Sequence, residues 1–177
     1  MRPPASLALL ALLALGSCSS APKPRTEVNE RKNQAAELTR AGNDRFAQGD
    51  YEQAIRFFAL ALSENLAVDN LPGAASSYNS IGKALLAQGR TEQAEASFTE
   101  ALRLAEKLAD RSLAAQSSSN LGELALARGR PELALEHLQV AESQLASEKP
   151  GAQAAVVFHN MGAALKRLGR SDEALAY

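Results

Sequence analysis

Reactive side chains are scarce in this sequence: its 177 residues include one cysteine, two histidines and no tryptophan. The lone thiol, Cys18, directly follows an apolar run from Leu7 to Leu15 and the small residues Gly16 and Ser17, and a single cysteine leaves no material for a disulfide framework or a metal cluster. His137 and His159 have neither metal-ligand spacing nor a serine or cysteine nucleophile motif beside them, so both are expected at surfaces or edges. No catalytic residue, cofactor or metal is expected. The remaining chemistry is that of amides. Asn43, Asn79, Asn120 and Asn160 recur along the chain, and an amide both donates and accepts, so a row of them can pair with the backbone of an extended peptide without demanding its sequence.

Positioning such a row requires a repeating scaffold. Apolar residues make up 46% of the chain but aromatics only 5%, so alanine and leucine carry the core, a composition of closely packed helices. Gly42, Gly82, Gly122 and Gly162 are spaced by forty residues, as are Gly49, Gly89, Gly129 and Gly169, and Ala54, Ala94, Ala134 and Ala174. Fixed periods of this length mark a solenoid, in which each unit buries its apolar face only by stacking on the next. Each unit reads as two helices. Tyr78, Ile81, Gly82 and Leu85 share one helical face, "GR" interrupts, and Ala94, Phe98 and Ala101 form a second face. Gly89 suits a left-handed cap, Pro131 fits a first helical turn, and Glu52, Glu92, Glu132 and Asp172 fall where a helix dipole favours negative charge. The Gly42/82/122/162 column is expected to let the partner helix's backbone approach closely, with Ala134- or Phe98-type positions filling the space alongside. The units are expected at 34–73, 74–113, 114–153 and an incomplete 154–177, where "RSDEALAY" starts a helix of about two turns with no large residue four positions after Ala174. Phe158, Leu165 and Leu175 would then stay partly uncovered, as in a fragment of a longer array or a chain whose end a partner covers.

Tyr78, Ile81-Gly82, Leu85, Ala94 and Phe98, together with Leu38, Gly42, Ala54 and Phe58, resemble the tetratricopeptide repeat. Ser118 and Leu138 depart from the pattern, and Phe158, Met161-Gly162 and Leu165 restore it. A period of forty, against the usual length of about 34, with "SSNLG" and "FHNMG", is similar to the long-repeat branch of kinesin light chains and bacterial peptide-sensing regulators. The resemblance implies an all-α solenoid of antiparallel helix pairs whose first helices line a concave groove. It makes Thr39, Asn43, Asn79, Lys83, Gln116, Asn120, Glu123, His159 and Asn160 the candidate binding residues for an extended peptide or partner protein. A carboxylate clamp of the kind found in chaperone adaptors is not expected, because its positions fall on Thr39, Asn43, Ser80, Gln116 and Asn120, without a cation.

The N-terminus is a separate regime. Arg2 and the short apolar run make a secretory signal, too short to span about 30 Å of hydrocarbon as a helix. Leu15-Gly16-Ser17-Cys18 resembles a bacterial lipobox, which implies that residues 1–17 are removed and that Cys18 becomes the lipidated mature terminus. The residue after it, Ser19, is not the aspartate that retains such lipoproteins in the inner membrane, so an outer-membrane anchor facing the periplasm is expected. Residues 18–33 read as lipidated cysteine and flexible tether, and 34–177 as the repeat domain. Without Arg2 the chain holds 18 basic against 20 acidic side chains, a balance that gives no support to nucleic-acid binding. The expectation is a non-catalytic scaffold in the cell envelope, with no small-molecule substrate; an assembly factor for a pilus, secretion or outer-membrane complex, pilotin-like in role, is the alternative.

Overall fold

The structure, a computed structural model, describes residues 23–146 and 151–177. Cys18 and the signal segment lie outside the described residues. Among the described residues eight helices follow one another: α1 (Arg25–Ala47), α2 (Tyr51–Ala67), α3 (Leu71–Ala87), α4 (Thr91–Lys107), α5 (Arg111–Ala127), α6 (Pro131–Leu145), α7 (Ala152–Arg167) and α8 (Ser171–Ala174). They pack as consecutive antiparallel pairs, an all-helical solenoid. The first helices α1, α3, α5 and α7 also touch in succession, whereas α2, α4 and α6 do not touch one another. A stack tied more tightly along one row of helices bends toward that row. The first helices therefore line the inner, concave face.

Local chemistry sets the helix ends. Gly49, Gly89, Gly129 and Gly169 have φ between 70° and 78°, the left-handed conformation that reverses the chain inside each pair. The amide after each glycine bonds back to the last helical turn, as Asp50 N–H does to the Arg45 carbonyl at 3.0 Å. Asp50 and Asp110 then cap the next helices, their carboxylates accepting from Gln53 N and Leu113 N at 3.3 and 3.0 Å.

In the first three pairs Ala54, Ala94 and Ala134 are fully buried, and Phe58, Phe98 and Leu138, four positions later, are buried with them. Of the two expected reasons for the glycines, one dominates. What crowds them is mainly a side chain, not the partner's backbone. A Cβ on Gly42 would stand 2.5 Å from the Phe58 ring, one on Gly82 would collide with Phe98, and one on Gly122 would lie 2.7 Å from Leu138 Cγ and 3.3 Å from the Ala134 carbonyl. Gly162 is different. Its nearest neighbours are the Ala174 carbonyl at 3.7 Å and Tyr177 Cβ at 3.9 Å, ordinary contact distances.

Two boundaries are corrected. Residues 25–33 are helical, extending α1 by two turns, rather than part of a flexible tether, and Arg31 joins Glu27 on its own helix to Glu64 on α2 at 3.2 and 2.9 Å. The helix pairs also turn at Val68–Asn70 and Leu108–Asp110, a few residues before the expected unit ends. At the other end α8 is a single turn. Leu165 is buried, Leu175 is exposed, and Phe158 is half-buried with its ring centroid 5.8 Å from that of Tyr177.

Candidate concave cleft

The inner face carries polar residues because its columns alternate with the buried ones along each first helix. Ser76 and Gln116 share one column; Ser80, Asn120 and Asn160 share another; Asn43, Lys83 and Glu123 share a third. Where α1, α3 and α5 meet, these side chains enclose a cleft of about 210 Å³ lined by Asn43, Ser76, Asn79, Ser80, Lys83 and Gln116, with Phe46 and Phe58 as its apolar wall. Four of the nine expected residues thus come together. Phe46 is held edge-on against Tyr51, centroids 5.2 Å apart, which fixes that wall.

A second cleft, of about 280 Å³, lies along the earlier turns of α1 and α3 and shares Ser76 with the first. Thr39 lines it, but its hydroxyl donates to the Ala35 carbonyl at 2.8 Å, one turn back on its own helix. Lys32, Ala35, Ala36, Asn70 and Gly73 complete most of the lining. The Asn70 amide is occupied with Asn65 Oδ1 at 2.6 Å, and Asn65 in turn donates to Ser77 Oγ.

Two of the expected groove amides are internal instead. Asn79 is only 2% exposed; its amide donates to Ser117 Oγ at 3.0 Å and to Gln116 Oε1 at 3.4 Å, while its carbonyl accepts from Asn120 Nδ2 at 3.0 Å. Asn120 is buried with it. The amides fasten α3 to α5, because a buried amide left without partners would cost more than the pair of helices could tolerate. They are corrected from free binding groups to a seam between units. Glu123 and His159 are exposed and Asn160 half-buried, all outside both clefts.

Phe46, Phe58 and Ser76 were not expected at the site. Phe46 occupies the register of Leu86 and Leu126, and an aromatic ring at that column, in the unit that has no described unit before it, was the available signal.

Cations are treated differently at the two faces. At the edge formed by the glycine turns, Arg90 meets Glu52 at 3.5 Å, and Arg128 meets Glu95 at 2.5 Å and Glu92 at 3.5 Å, each pair crossing from one unit to the next. The Glu92 carboxyl is held below its usual range by its own backbone N–H, then by the Thr91 hydroxyl, then by Arg128. In the cleft, Lys83 has no carboxylate or hydrogen-bond acceptor among the described residues. His137 is half-buried on α6, away from the clefts; burial pushes its imidazole below the ordinary value against the pull of Glu136 and Glu95. Among the described residues no group of three or more histidine, cysteine, aspartate or glutamate side chains is placed to hold a metal ion. No helix among them is long and apolar enough to cross a membrane.

Comparison with known proteins matches this geometry. The chain is similar in fold to the crystal structure of BtubC (BKLC) from P. vanneervenii, with a TM-score of 0.69 and 21% identity over 80% of this chain and 59% of that one. It is similar to the apo form of RapI, TM-score 0.73 and 15% identity over 86% of this chain and 42% of that one. The TPR domain of Arabidopsis FLU aligns at TM-score 0.61 and 15% identity, covering 67% of this chain and 99% of that domain. This chain therefore spans well under two thirds of BtubC and RapI. No curated protein matches it in sequence. Tetratricopeptide-repeat family models match residues 34–107, 73–147 and 155–176, and with the helix pairs in register beneath them, the chain belongs to the tetratricopeptide repeat family.

Proposed function

We propose that this protein is a non-catalytic scaffold of the bacterial envelope that holds an extended peptide, or an extended segment of a partner protein, in the cleft over α1, α3 and α5. Tetratricopeptide domains bind protein or peptide partners and are generally scaffolds rather than catalysts. The observation that carries the finer reading is Lys83, a cation set among the Asn43 and Gln116 amides and the Ser76 and Ser80 hydroxyls, beside two phenyl rings, with no partner of its own among the described residues. Such a site offers charge, amide donors and acceptors, and an apolar wall together. A peptide supplies the complement of all three.

The anchor is proposed from Cys18 alone. Acyl chains on that sulfur and its freed amine would hold the scaffold at a membrane, since each buried methylene contributes about 0.8 kcal/mol and more than one chain is needed for firm attachment. Outer-membrane placement follows from Ser19 at the next position.

Both parts are testable in cells that make the full chain. A photocrosslinking amino acid at Ser80 should capture partner proteins, and a Lys83→Glu change in the same chain should remove most of that capture; capture that survives unchanged places the binding surface elsewhere. Cys18→Ser should abolish labelling by radioactive palmitate and leave the precursor uncut, and persistent labelling would reject the anchor.

A further inference from the structure

The two clefts of the inner face share Ser76 and run as one seam between α1 and α3. Its ends are marked by Lys32 and Lys83. Among the described residues no aspartate or glutamate lines either cleft, although the whole chain has 20 acidic against 19 basic residues. Glu123, which follows Lys83 in the same column on α5, is exposed and makes no ion pair with Lys83. The seam thus carries a cation at each end and no carboxylate in its lining. Two cations without a carboxylate between them in the lining make the seam attractive to anions, and the distance between them decides which.

Lys32 lies eleven residues before Asn43, the neighbour of Lys83 across the seam, so the two ends are separated by about 16 Å along the helix axes at 1.5 Å per residue. A single carboxylate or phosphate cannot meet both. An extended chain advances about 3.3 Å per residue and turns alternate side chains to the same side, so residues i and i+4 stand about 13 Å apart on one face, within reach of two flexible lysine stems. Residue i+2 of that face falls near mid-seam, between the Ala35, Ala36 and Gly73 end and the Phe46 and Phe58 end.

We infer that the α1–α3 seam is a docking groove for an extended acidic segment of a partner protein, with carboxylates at positions i and i+4 meeting Lys32 and Lys83 and an apolar side chain at i+2 between them. It rests on the reading of the cleft as a peptide site and adds the class of peptide. Thr39, Ser76 and Ser80 donate to carbonyls one turn back on their own helices and Asn70 donates to Asn65, so these form its fixed wall; Asn43 supplies the adaptable hydrogen bonds, and the serine oxygens can still accept.

The test is selection from an mRNA-display library of random decapeptides on the full chain in mild detergent, run in parallel on Lys32→Glu/Lys83→Glu and on Ser76→Trp, which fills the middle of the seam. All three positions are exposed, so the parent's thermal melting should be retained; Ser80→Tyr replaces Ser76→Trp should the latter melt early. Peptides recovered on the parent should be enriched for acidic residues four apart. They should bind at least tenfold more weakly to the double lysine variant and to Ser76→Trp, and more weakly again at raised salt. Peptides that Ser76→Trp excludes, but that are neutral or basic and indifferent to the lysine changes, would overturn the acidic specificity and leave the peptide groove standing. Failure to enrich any sequence, or enrichment indifferent to Ser76→Trp, would overturn both.

Discussion

Thr39 and Asn79 stand forty residues apart at the same position of their helices, yet the seams they border are opposites. At the α1–α3 seam the Thr39 hydroxyl turns back to its own helix, and an open groove remains beside it. At the α3–α5 seam the Asn79 amide reaches across to Ser117 and Gln116 and receives Asn120, and the space is closed. The same register therefore specifies a fold in both places and a site in only one. What differs is the reach of the side chains: Asn79 bridges to Gln116, Ser117 and Asn120 of α5, whereas Thr39 returns its hydroxyl to its own helix, as do Ser76 and Ser80 on α3 across from it.

The largest expected effect tests whether this dependence on neighbours also governs the glycine column. Gly82→Ala would drive a methyl group into the Phe98 ring, which is fully buried and cannot swing aside, and should cost about 1 to 3 kcal/mol even though alanine is the better helix former. Gly162→Ala meets only ordinary contacts and should gain up to about 1 kcal/mol from helix propensity alone. Urea unfolding of the two variants should shift in opposite directions. Shifts of the same sign would mean that the column acts through backbone entropy and not through what lies over it.

Next in size is the pair that defines the comparison. Asn79→Ala removes the centre of a buried network and strands the Ser117 and Asn120 groups, a loss of about 1 to 3 kcal/mol, whereas Thr39→Ala deletes one bond to a carbonyl that already serves its helix and should stay within about 0.5 kcal/mol. Equal losses would erase the distinction between closed and open seams.

These contrasts also show how far the sequence was legible. The glycine and alanine columns, the turns and the pairing of helices could be read directly, because they repeat what every unit needs for its own folding. Asn79 and Asn43 could not be told apart in the same way. Both are asparagines on the inner side of a first helix, and only the presence of Ser117 and Asn120 on the next helix buries one of them. Tyr177 was hidden for a related reason. It stacks on Phe158 from three residues after Ala174, not four, out of the column that Phe58 and Phe98 mark. The start of α1 at Arg25 was masked by the polar composition of residues 25–33, which are helical through ion pairs and not through burial.

A smaller effect separates the two kinds of turn. Within pairs, glycine takes the left-handed conformation; between pairs, Asp69 and Ala109 take it at φ 52°. A left-handed alanine is disfavoured by about 1 to 2 kcal/mol, and glycine's greater freedom in the unfolded chain offsets part of that relief. Ala109→Gly should therefore raise stability by roughly 0.5 to 1 kcal/mol, read as a higher urea midpoint at unchanged slope. Gly89→Ala, the reverse change at the other kind of turn, should lower it. If Ala109→Gly is neutral or harmful, the α4–α5 turn is held by contacts that favour the methyl group.

The smallest effect on stability belongs to the residue with the most to do in the open seam. Asn43 is exposed, makes no side-chain hydrogen bond among the described residues, and lies across from Lys83 in the cleft. Its replacement by alanine removes a solvated amide and should leave stability within about 0.5 kcal/mol of the parent. Its effect should appear only with a ligand in place, because an amide that water serves equally well in the free protein must be desolvated by whatever docks against it, and it then needs a partner there. Peptides selected on the parent should bind Asn43→Ala several-fold more weakly, mainly through faster dissociation, with no change in unfolding midpoint. Asn79→Ala should show the reverse weighting, a large loss of stability with binding altered only as far as α3 and α5 lose their alignment. If Asn43→Ala destabilises the free protein as Asn79→Ala does, then the α1–α3 seam is closed in solution and the groove is not the binding face.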